Sequence, residues 1–195
     1  MSTTQTTLFR IPLARSLTAA RYQQRLCTQA AAELDTAGWH VISYVFRFTA
    51  AQEEEHAAIL TGLLGDMSYP PEADTPLPEL DAPAAWLSAA IDHESACCGN
   101  LLPEAARAAM EAGQPRIAAT LEQIAENDRR HTRRFLQYLH ALEDGTLLRS
   151  DTPTSWFCLP CGCLHHGCEA PAACEACGAN RGHFIRSSFH PFALA

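Results

Sequence analysis

Two Cys-x-x-Cys-Gly motifs lie close together near the end of the chain, at Cys158–Gly162 and Cys174–Gly178. Each motif places two sulfurs on one tight turn, and its glycine can take the positive φ that keeps backbone N–H groups directed at sulfur. The spacing predicts one tetrahedral metal site, with two disulfides as the alternative. It does not separate zinc from iron. The predicted ligands are Cys158, Cys161, Cys174 and Cys177.

Bulk properties restrict the remaining possibilities. A chain of 195 residues can build one core plus a small second module. Its net charge of −8 argues against nucleic acid or an anionic membrane as partner. We find no apolar run near the ~20 residues that a membrane span requires. Nine cysteines, an odd number without a signal peptide, favour metal and thiol chemistry in the reducing cytoplasm over a disulfide framework.

The first three quarters of the chain carry four apolar stripes at helical spacing, over residues 13–34, 42–63, 87–105 and 117–142. A proline-rich connection at residues 70–83 is long enough to cross over along a helical bundle. Pro103 is expected to kink the third helix. The pair Gly113 and Pro115 marks where the third helix stops and the fourth starts.

The two halves of this region match at an offset of 75 residues. The offset aligns Gly38 with Gly113 and Ile42 with Ile117, and it also aligns Glu53 with Asp128 and His56 with His131. We therefore predict two related helical hairpins in residues 1–145, a linker at 146–155 and a cysteine module at 156–195. The predicted core of that module is Trp156, Phe157 and Phe184.

Polar residues occupy inward positions of these stripes. Glu53/His56 and Asp128/His131 are i, i+3 pairs, so each pair projects a carboxylate and an imidazole from one helix face. Each pair starts 15 residues after its hairpin glycine, about 22 Å along the helix, and so the pairs lie at matching depth. Buried acids that converge imply a metal or an ion-pair network. The candidate ligands are Glu53, His56, Glu94, Cys97, Asp128 and His131.

Simpler interpretations exist for several of these residues. Glu53 lies in a charge run that could be solvated, and His131 stands beside arginines as a surface histidine would. Cys97 could be a small core hydrophobe. Cys27 and Cys98 are interpreted as core or neutral residues. Cys163 and Cys168 are spare thiols, a redox-sensitive pair, or a sign of a cage that tolerates zinc.

The layout resembles the rubrerythrin family over residues from about 13 to 186. The resemblance is carried by the segment from Thr49 to His56, by Glu94 with its i+3 partner, by Asp128-Arg-Arg-His131, and by the run from Trp156 to Cys177. It implies a mainly α protein: a ferritin-like four-helix bundle followed by a small rubredoxin-like metal domain with four cysteine ligands.

The same resemblance implies a function and its cofactors. The bundle would hold non-haem iron that reduces hydrogen peroxide, with Glu53, Glu94 and Asp128 as carboxylate ligands and His56 and His131 as imidazole ligands. The four cysteines would hold rubredoxin-type iron, or zinc, and pass electrons one at a time, often between the subunits of a head-to-tail homodimer. No glycine-rich dinucleotide motif is present, so the electron donor would be a separate reductase.

Three positions depart from the family pattern. Ala20 and Cys97 stand where the family has glutamates, and Asp128 replaces a longer glutamate. Fewer anions stabilise fewer cations, so the second metal position is expected to be weak or empty unless Cys97, Gln24 or Glu33 compensates. Two alternatives follow: an electron-transfer or iron-binding protein with a degenerate bundle site, and a helical interaction protein bearing a zinc ribbon.

Overall fold

The structure, a computed structural model, describes residues 9–65 and 75–189. Its helices are α1 (Arg10–Thr36), α2 (His40–Leu64), α3 (Pro83–Ala96), α4 (Leu102–Glu111) and α5 (Pro115–Glu143). A π-helical segment, Cys97–Leu101, joins α3 to α4, so that these three form the third long helix of a four-helix bundle. Three antiparallel strands follow in the order β2-β1-β3: β1 (Arg149–Cys158), β2 (Leu164–Glu169) and β3 (Phe184–Arg186). The predicted mainly α architecture is confirmed.

The two helical hairpins turn in the same way. Gly38 and Gly113 both have positive φ, 85° and 71°, a region that favours glycine. After each glycine, an N–H group bonds back to the helix before it, from Trp39 to the Leu34 carbonyl and from Gln114 to the Ala109 carbonyl. These bonds lie 75 positions apart, as the repeat predicts, and they close each helix in the same Schellman-type cap.

The third helix is interrupted just before Pro103. Pro103 has no N–H group to donate to the Gly99 carbonyl, and the chain widens there into the π segment. The N–H of Leu102 bonds to the carbonyl of Cys97, five residues earlier. The predicted disturbance at Pro103 is therefore a π-helical turn, and it begins at Cys97. Of the proline-rich connection, residues 70–74 lie outside the described part of the chain.

The bundle interior has two apolar clusters separated by a polar layer. One cluster contains the aromatic side chains of Phe46, Trp86, Phe135 and Tyr138. The other contains Leu60, Leu121 and the alanine-rich face of α4. Each of the four long helices has one or two buried polar residues between the part that joins one cluster and the part that joins the other. Together, these polar residues form one layer across the bundle. That layer is formed by Gln23, Glu53, His56, Glu94, Asp128 and His131.

The strand β1 has two different faces. Trp156 and Cys158 point into the core of the cysteine module, where they pack with Phe184. Phe157, between them, packs against the apolar cluster of the bundle. Side chains alternate between the two faces of a strand, so the adjacent residues Trp156 and Phe157 cannot both enter the same core. The prediction is thus right for Trp156 and Phe184 and wrong for Phe157.

The cysteine module packs onto the α1–α2 end of the bundle. The His40 and His183 rings stack with centroids 3.7 Å apart and an angle of 4° between their planes. The hydroxyl of Tyr138 donates a 3.1 Å hydrogen bond to the carbonyl of Phe189. The boundaries 1–145, 146–155 and 156–195 stay a prediction, although β1 begins at Arg149, within the stretch proposed as linker. Among the described residues, no helix is both long and apolar enough to span a membrane.

Candidate metal centres

The four cysteines of the paired motifs come together in the module. Sγ of Cys158 lies 3.6 Å from Sγ of Cys177, and Sγ of Cys161 lies 3.6 Å from Sγ of Cys174. All four sulfurs lie within 4.8 Å of one another. A tetrahedral ion with ~2.3 Å bonds to sulfur has ligands about 3.8 Å apart, so this cage fits one such ion. All nine cysteines are free thiols, which contradicts the disulfide alternative.

Both turns of the cage have the conformation that the motif predicts. Gly162 and Gly178 have φ of 74° and 76°. Each N–H bonds at 2.8 Å to the carbonyl of the first cysteine of its pair. The remaining cysteines of the module lie outside the cage, Cys163 half-buried beside the module core and Cys168 exposed on β2.

The thiolate form of Cys174 is stabilised by groups around its sulfur. Burial raises the pKa of this thiol, but the N–H groups of Cys177 and Ala176 and the ring of His165 outweigh burial and lower the pKa to about 5. Thiolate is the form that binds a metal. His165 lies 3.6 Å from the sulfur, a contact that was not predicted, because the motif spacing does not show which side chains of β2 face the cage.

The polar layer of the bundle contains a second group of donors. One donor atom from each of Glu53, Glu94, Asp128 and His131 lies within 4.8 Å of the others, and all four residues are buried. Nδ1 of His131 is 3.1 Å from Oε1 of Glu53 and 3.1 Å from Oε1 of Glu94. Ligands ~2.1 Å from an ion stand about 3 Å apart when they subtend a right angle, so these separations fit a metal shell.

His56 lies at the edge of this group. Its Nδ1 is 3.1 Å from Oε1 of Glu53 and 3.5 Å from Oδ1 of Asp128. That Asp128 oxygen is buried and has no hydrogen-bond partner. A buried carboxylate oxygen without a donor is costly, and a cation would stabilise it. Taken together, the orphaned oxygen and the O/N donor set fit a non-haem metal ion.

In the metal-free protein, Asp128 and His131 of the polar layer hold protons to a higher pH than usual. Burial raises the pKa of Asp128 to about 9, and the charges of Glu94 and Glu53 add to the shift. Burial disfavours charge on His131 too, but its hydrogen bonds to Glu53 and Glu94 outweigh this and raise its pKa to about 9. A divalent ion would displace these protons when it binds.

Cys97 is close to the layer without joining the four-residue group. It is buried and, with Ala20, Glu94 and Asp128, lines a cavity of about 10 Å³, roughly the space of one water molecule. Its Sγ lies 3.6 Å from Nδ1 of His93. Burial raises the pKa of the Cys97 thiol, and the nearby carboxylates raise it further, so the thiol stays protonated in the metal-free protein. Its role as a ligand stays a prediction.

Two glutamines complete the layer, and the sequence did not reveal either. Gln23 is buried and donates from Nε2 to Oε1 of Glu94 at 3.0 Å. Gln52 accepts a 3.0 Å hydrogen bond from Nε2 of His131, which leaves Nδ1 facing the carboxylates. Gln24 and Glu33 were the residues of α1 expected to compensate for Ala20, but Gln24 is partly exposed and Glu33 is on the surface. The other two cysteines, Cys27 and Cys98, lie in the apolar clusters, as predicted.

A four-helix bundle with a buried carboxylate–histidine layer, joined to a module with a four-cysteine cage, defines a ferritin-like and rubredoxin-like metalloprotein. The rubrerythrin family model matches residues 13–139. The chain therefore belongs to the rubrerythrin family, a family of non-haem iron proteins.

Two rubrerythrins and one solved structure are similar to this chain. A rubrerythrin of Nitratidesulfovibrio vulgaris is 34% identical over 149 residues, covering 75% of this chain and 77% of the relative. A rubrerythrin of Porphyromonas gingivalis is 33% identical over 147 residues, covering 75% and 74%. The solved structure of nigerythrin in a mixed-valence state superposes with a TM-score of 0.62 at 20% identity, covering 91% of this chain and 86% of that one. At that identity, the likeness concerns the fold.

Proposed function

We propose that this protein is an iron-dependent peroxide reductase that receives electrons through its C-terminal module. The observation that carries the proposal is the presence of two different donor sets on one chain. Soft thiolates suit a one-electron iron centre, whereas carboxylate and imidazole donors suit an iron that binds oxygen species. The family of the chain supports iron as its metal.

The reaction would be the two-electron reduction of hydrogen peroxide, in which H2O2, two protons and two electrons give two water molecules. Iron held in the layer would supply redox-active Lewis acidity for cleavage of the O–O bond. A single iron in the cysteine cage delivers one electron at a time, so each turnover needs two deliveries from a separate reductase. We infer that the protein acts in defence against oxidative stress in the reducing cytoplasm, where its nine free thiols would persist.

Each residue of the layer has a definite part in the proposal. Glu53, Glu94, Asp128 and His131 would hold the metal, with His56 at the edge of the shell and Cys97 as a further candidate. Gln52 orients the His131 ring. The apolar clusters on both sides keep bulk water from the layer. A homodimer, as the family resemblance implies, would let one subunit's module serve another subunit's bundle.

The departures from the family pattern favour one strong metal position over two. Ala20 has no ligand atom, and Gln23, the nearest buried polar residue of α1, is neutral. With fewer anions, a second cation in a buried site is less well stabilised. We therefore propose slow peroxide turnover by the protein as isolated.

Metal content and peroxide consumption test this function together. The purified protein, expressed with ample iron, is analysed for iron and zinc per chain and then assayed for peroxide loss with a rubredoxin reductase system. Iron in both sites with peroxide turnover above that of free iron supports the proposal. Zinc alone, or iron without turnover, contradicts it.

The second candidate is an electron-transfer or iron-binding protein with a degenerate bundle site. The specific observation in its favour is that α1 offers no carboxylate to the layer among its buried residues. It predicts one or two irons per chain and no peroxide reduction. A helical protein that uses a zinc ribbon for interaction predicts a colourless protein that holds only zinc.

A further inference from the structure

One histidine outside the proposed ligands faces the thiolate cage. Nε2 of His165 lies 3.6 Å from Sγ of Cys174, within hydrogen-bond distance for a sulfur acceptor. Among the hydrogen bonds of the described residues, it is the one contact to a cage sulfur from a side chain other than the four cysteines. The contact is therefore specific to one ligand of the four.

The module holds the His165 ring in place from two sides. His165 lies on β2, directly opposite Trp156 in the register of β1. Its ring meets the Phe184 ring edge-on, with centroids 5.1 Å apart and an angle of 85°. Trp156 and Phe184 are both fully buried, so the imidazole has little freedom to leave the sulfur.

The next residue of the strand makes a natural comparison. His166 is exposed, and its Nδ1 lies 3.1 Å from Oγ of Ser155. Side chains alternate along β2, so the two histidines leave opposite faces of the sheet. His166 is also a histidine of β2, but its ring contacts Ser155 and not the cage. A substitution at His166 therefore serves as the control for one at His165.

We propose that His165 donates its Nε2–H to Sγ of Cys174 and thereby raises the reduction potential of the iron held by the four cysteines. The inference rests on the proposed binding of iron in this cage. Four thiolates around Fe³⁺ carry a net charge of −1, and one electron from the reductase takes the site to Fe²⁺ and −2. A hydrogen-bond donor stabilises the more negative state more strongly, so it favours reduction. No proton leaves His165 in this step.

The test compares three variants of the full-length, iron-loaded protein. The midpoint potential of the cage iron is measured by following its visible thiolate-to-iron absorption against applied potential. We expect His165→Phe to shift the reduction equilibrium about tenfold toward the oxidised state, which is about 59 mV for one electron. His165→Gln keeps an N–H donor and should shift it less. His166→Phe should leave the potential unchanged.

Two results would overturn the inference. One is an unchanged potential in His165→Phe, and the other is an equal shift in His165→Phe and His166→Phe. If the variants no longer bind iron, a measurement on the wild-type protein tests the inference instead. In the zinc-loaded protein, nitrogen-15 shifts of the His165 ring show whether Nε2 carries a proton, and an unprotonated Nε2 also overturns the inference.

These outcomes differ from failure of the proposed function. If the wild-type protein takes up no iron in the cage, its thiolate-to-iron absorption is absent, and the function fails before any variant is compared. If iron binds and His165 has no effect on the potential, only the present inference fails.

Discussion

Gln23 donates a 3.0 Å hydrogen bond from Nε2 to Oε1 of Glu94, and so links α1 to α3 across the polar layer. The amide also lies 3.5 Å from the carbonyl of Ala90. Its own Oε1 is buried without a partner. The contribution of α1 to the layer is therefore a neutral amide that holds a carboxylate in place.

This relationship predicts a specific loss of stability in Gln23→Ala. The substitution leaves the buried Glu94 carboxyl without its amide donor, which should lower the free energy of unfolding of the metal-free protein by about 1–3 kcal/mol. Denaturant unfolding measures the change. Gln24→Ala is the matched control, because Gln24 is partly exposed and should matter by less than about 0.5 kcal/mol. Equal effects of the two substitutions would contradict the assigned role of Gln23.

Restoring carboxylates should strengthen the second metal position. Ala20 and Cys97 both line the small cavity beside the carboxylates, so Ala20→Glu with Cys97→Glu places two anions there. We expect the double variant to bind more iron per chain and to consume peroxide at least severalfold faster than wild type. Each change alone should help less, since ligands of one site are not additive.

The control for that experiment is Ala32→Glu, an exposed position on the same helix. It adds a negative charge to α1 without reaching the layer, so iron content and turnover should not change. A wild-type protein that already holds two bundle irons and turns over rapidly would contradict the premise of a weak second position.

Metal removal should make stability depend on pH in a definite direction. The folded-state pKa values of Asp128 and His131 are both about 9, above ordinary values of about 3.9 and 6.5. The metal-free folded state thus binds more protons than the unfolded state between these values. Stability from His131 is fully present below about pH 6.5 and is lost as the pH rises toward 9, and Asp128 acts in the same direction.

Denaturant unfolding of the metal-free protein from about pH 6 to 9.5 measures this dependence. We expect the free energy of unfolding to fall across that range, and Asp128→Asn to make the fall shallower. In the metal-loaded protein, the ion takes the place of the protons, so the dependence should weaken. A metal-free stability that rises with pH would contradict this description of the layer.

The junction between the bundle and the cysteine module can be tested at Gly182. A Cβ on this residue would lie 2.6 Å from the carbonyl oxygen of Gly38 and 3.2 Å from the ring of His40. Gly182→Ala must therefore displace backbone, at a cost of about 1–3 kcal/mol in the free energy of unfolding. Gly62→Ala, in α2 with open space around it, should stabilise the protein by about 0.5–1 kcal/mol. A neutral Gly182→Ala would show that the module does not pack this closely.

Loss of one cage ligand should remove the colour of the module and leave the bundle intact. Cys174→Ser is expected to abolish the thiolate-to-iron absorption while helical content, measured by circular dichroism, stays nearly unchanged. Cys168→Ser is the control, since that thiol is exposed and lies outside the cage. Full absorption in Cys174→Ser, or equal loss in both variants, would contradict the assigned ligand set.

Features that repeat over a few residues could be predicted from the sequence. The two cysteine turns depend on local backbone geometry, and the pairs Glu53/His56 and Asp128/His131 depend on the pitch of a single helix. The signal of Gly113 and Pro115, where the third helix stops and the fourth starts, is local in the same way. For these residues, neighbours along the chain determine where the side chains point, so spacing was enough.

Only the tertiary structure determines the contacts of Gln23, Gln52 and His165 and the core into which Phe157 packs. On α1, a heptad stripe fits either Gln23 or Gln24, because 3.5 and 3.6 residues per turn differ too little over one helix to separate adjacent positions. Packing against α3 selects Gln23, since its amide meets Glu94. His165 likewise contacts Sγ of Cys174, which lies on another turn of the chain and is brought close only by the fold. Local periodicity determines which residues can face inward, whereas contacts between elements determine which of them meet.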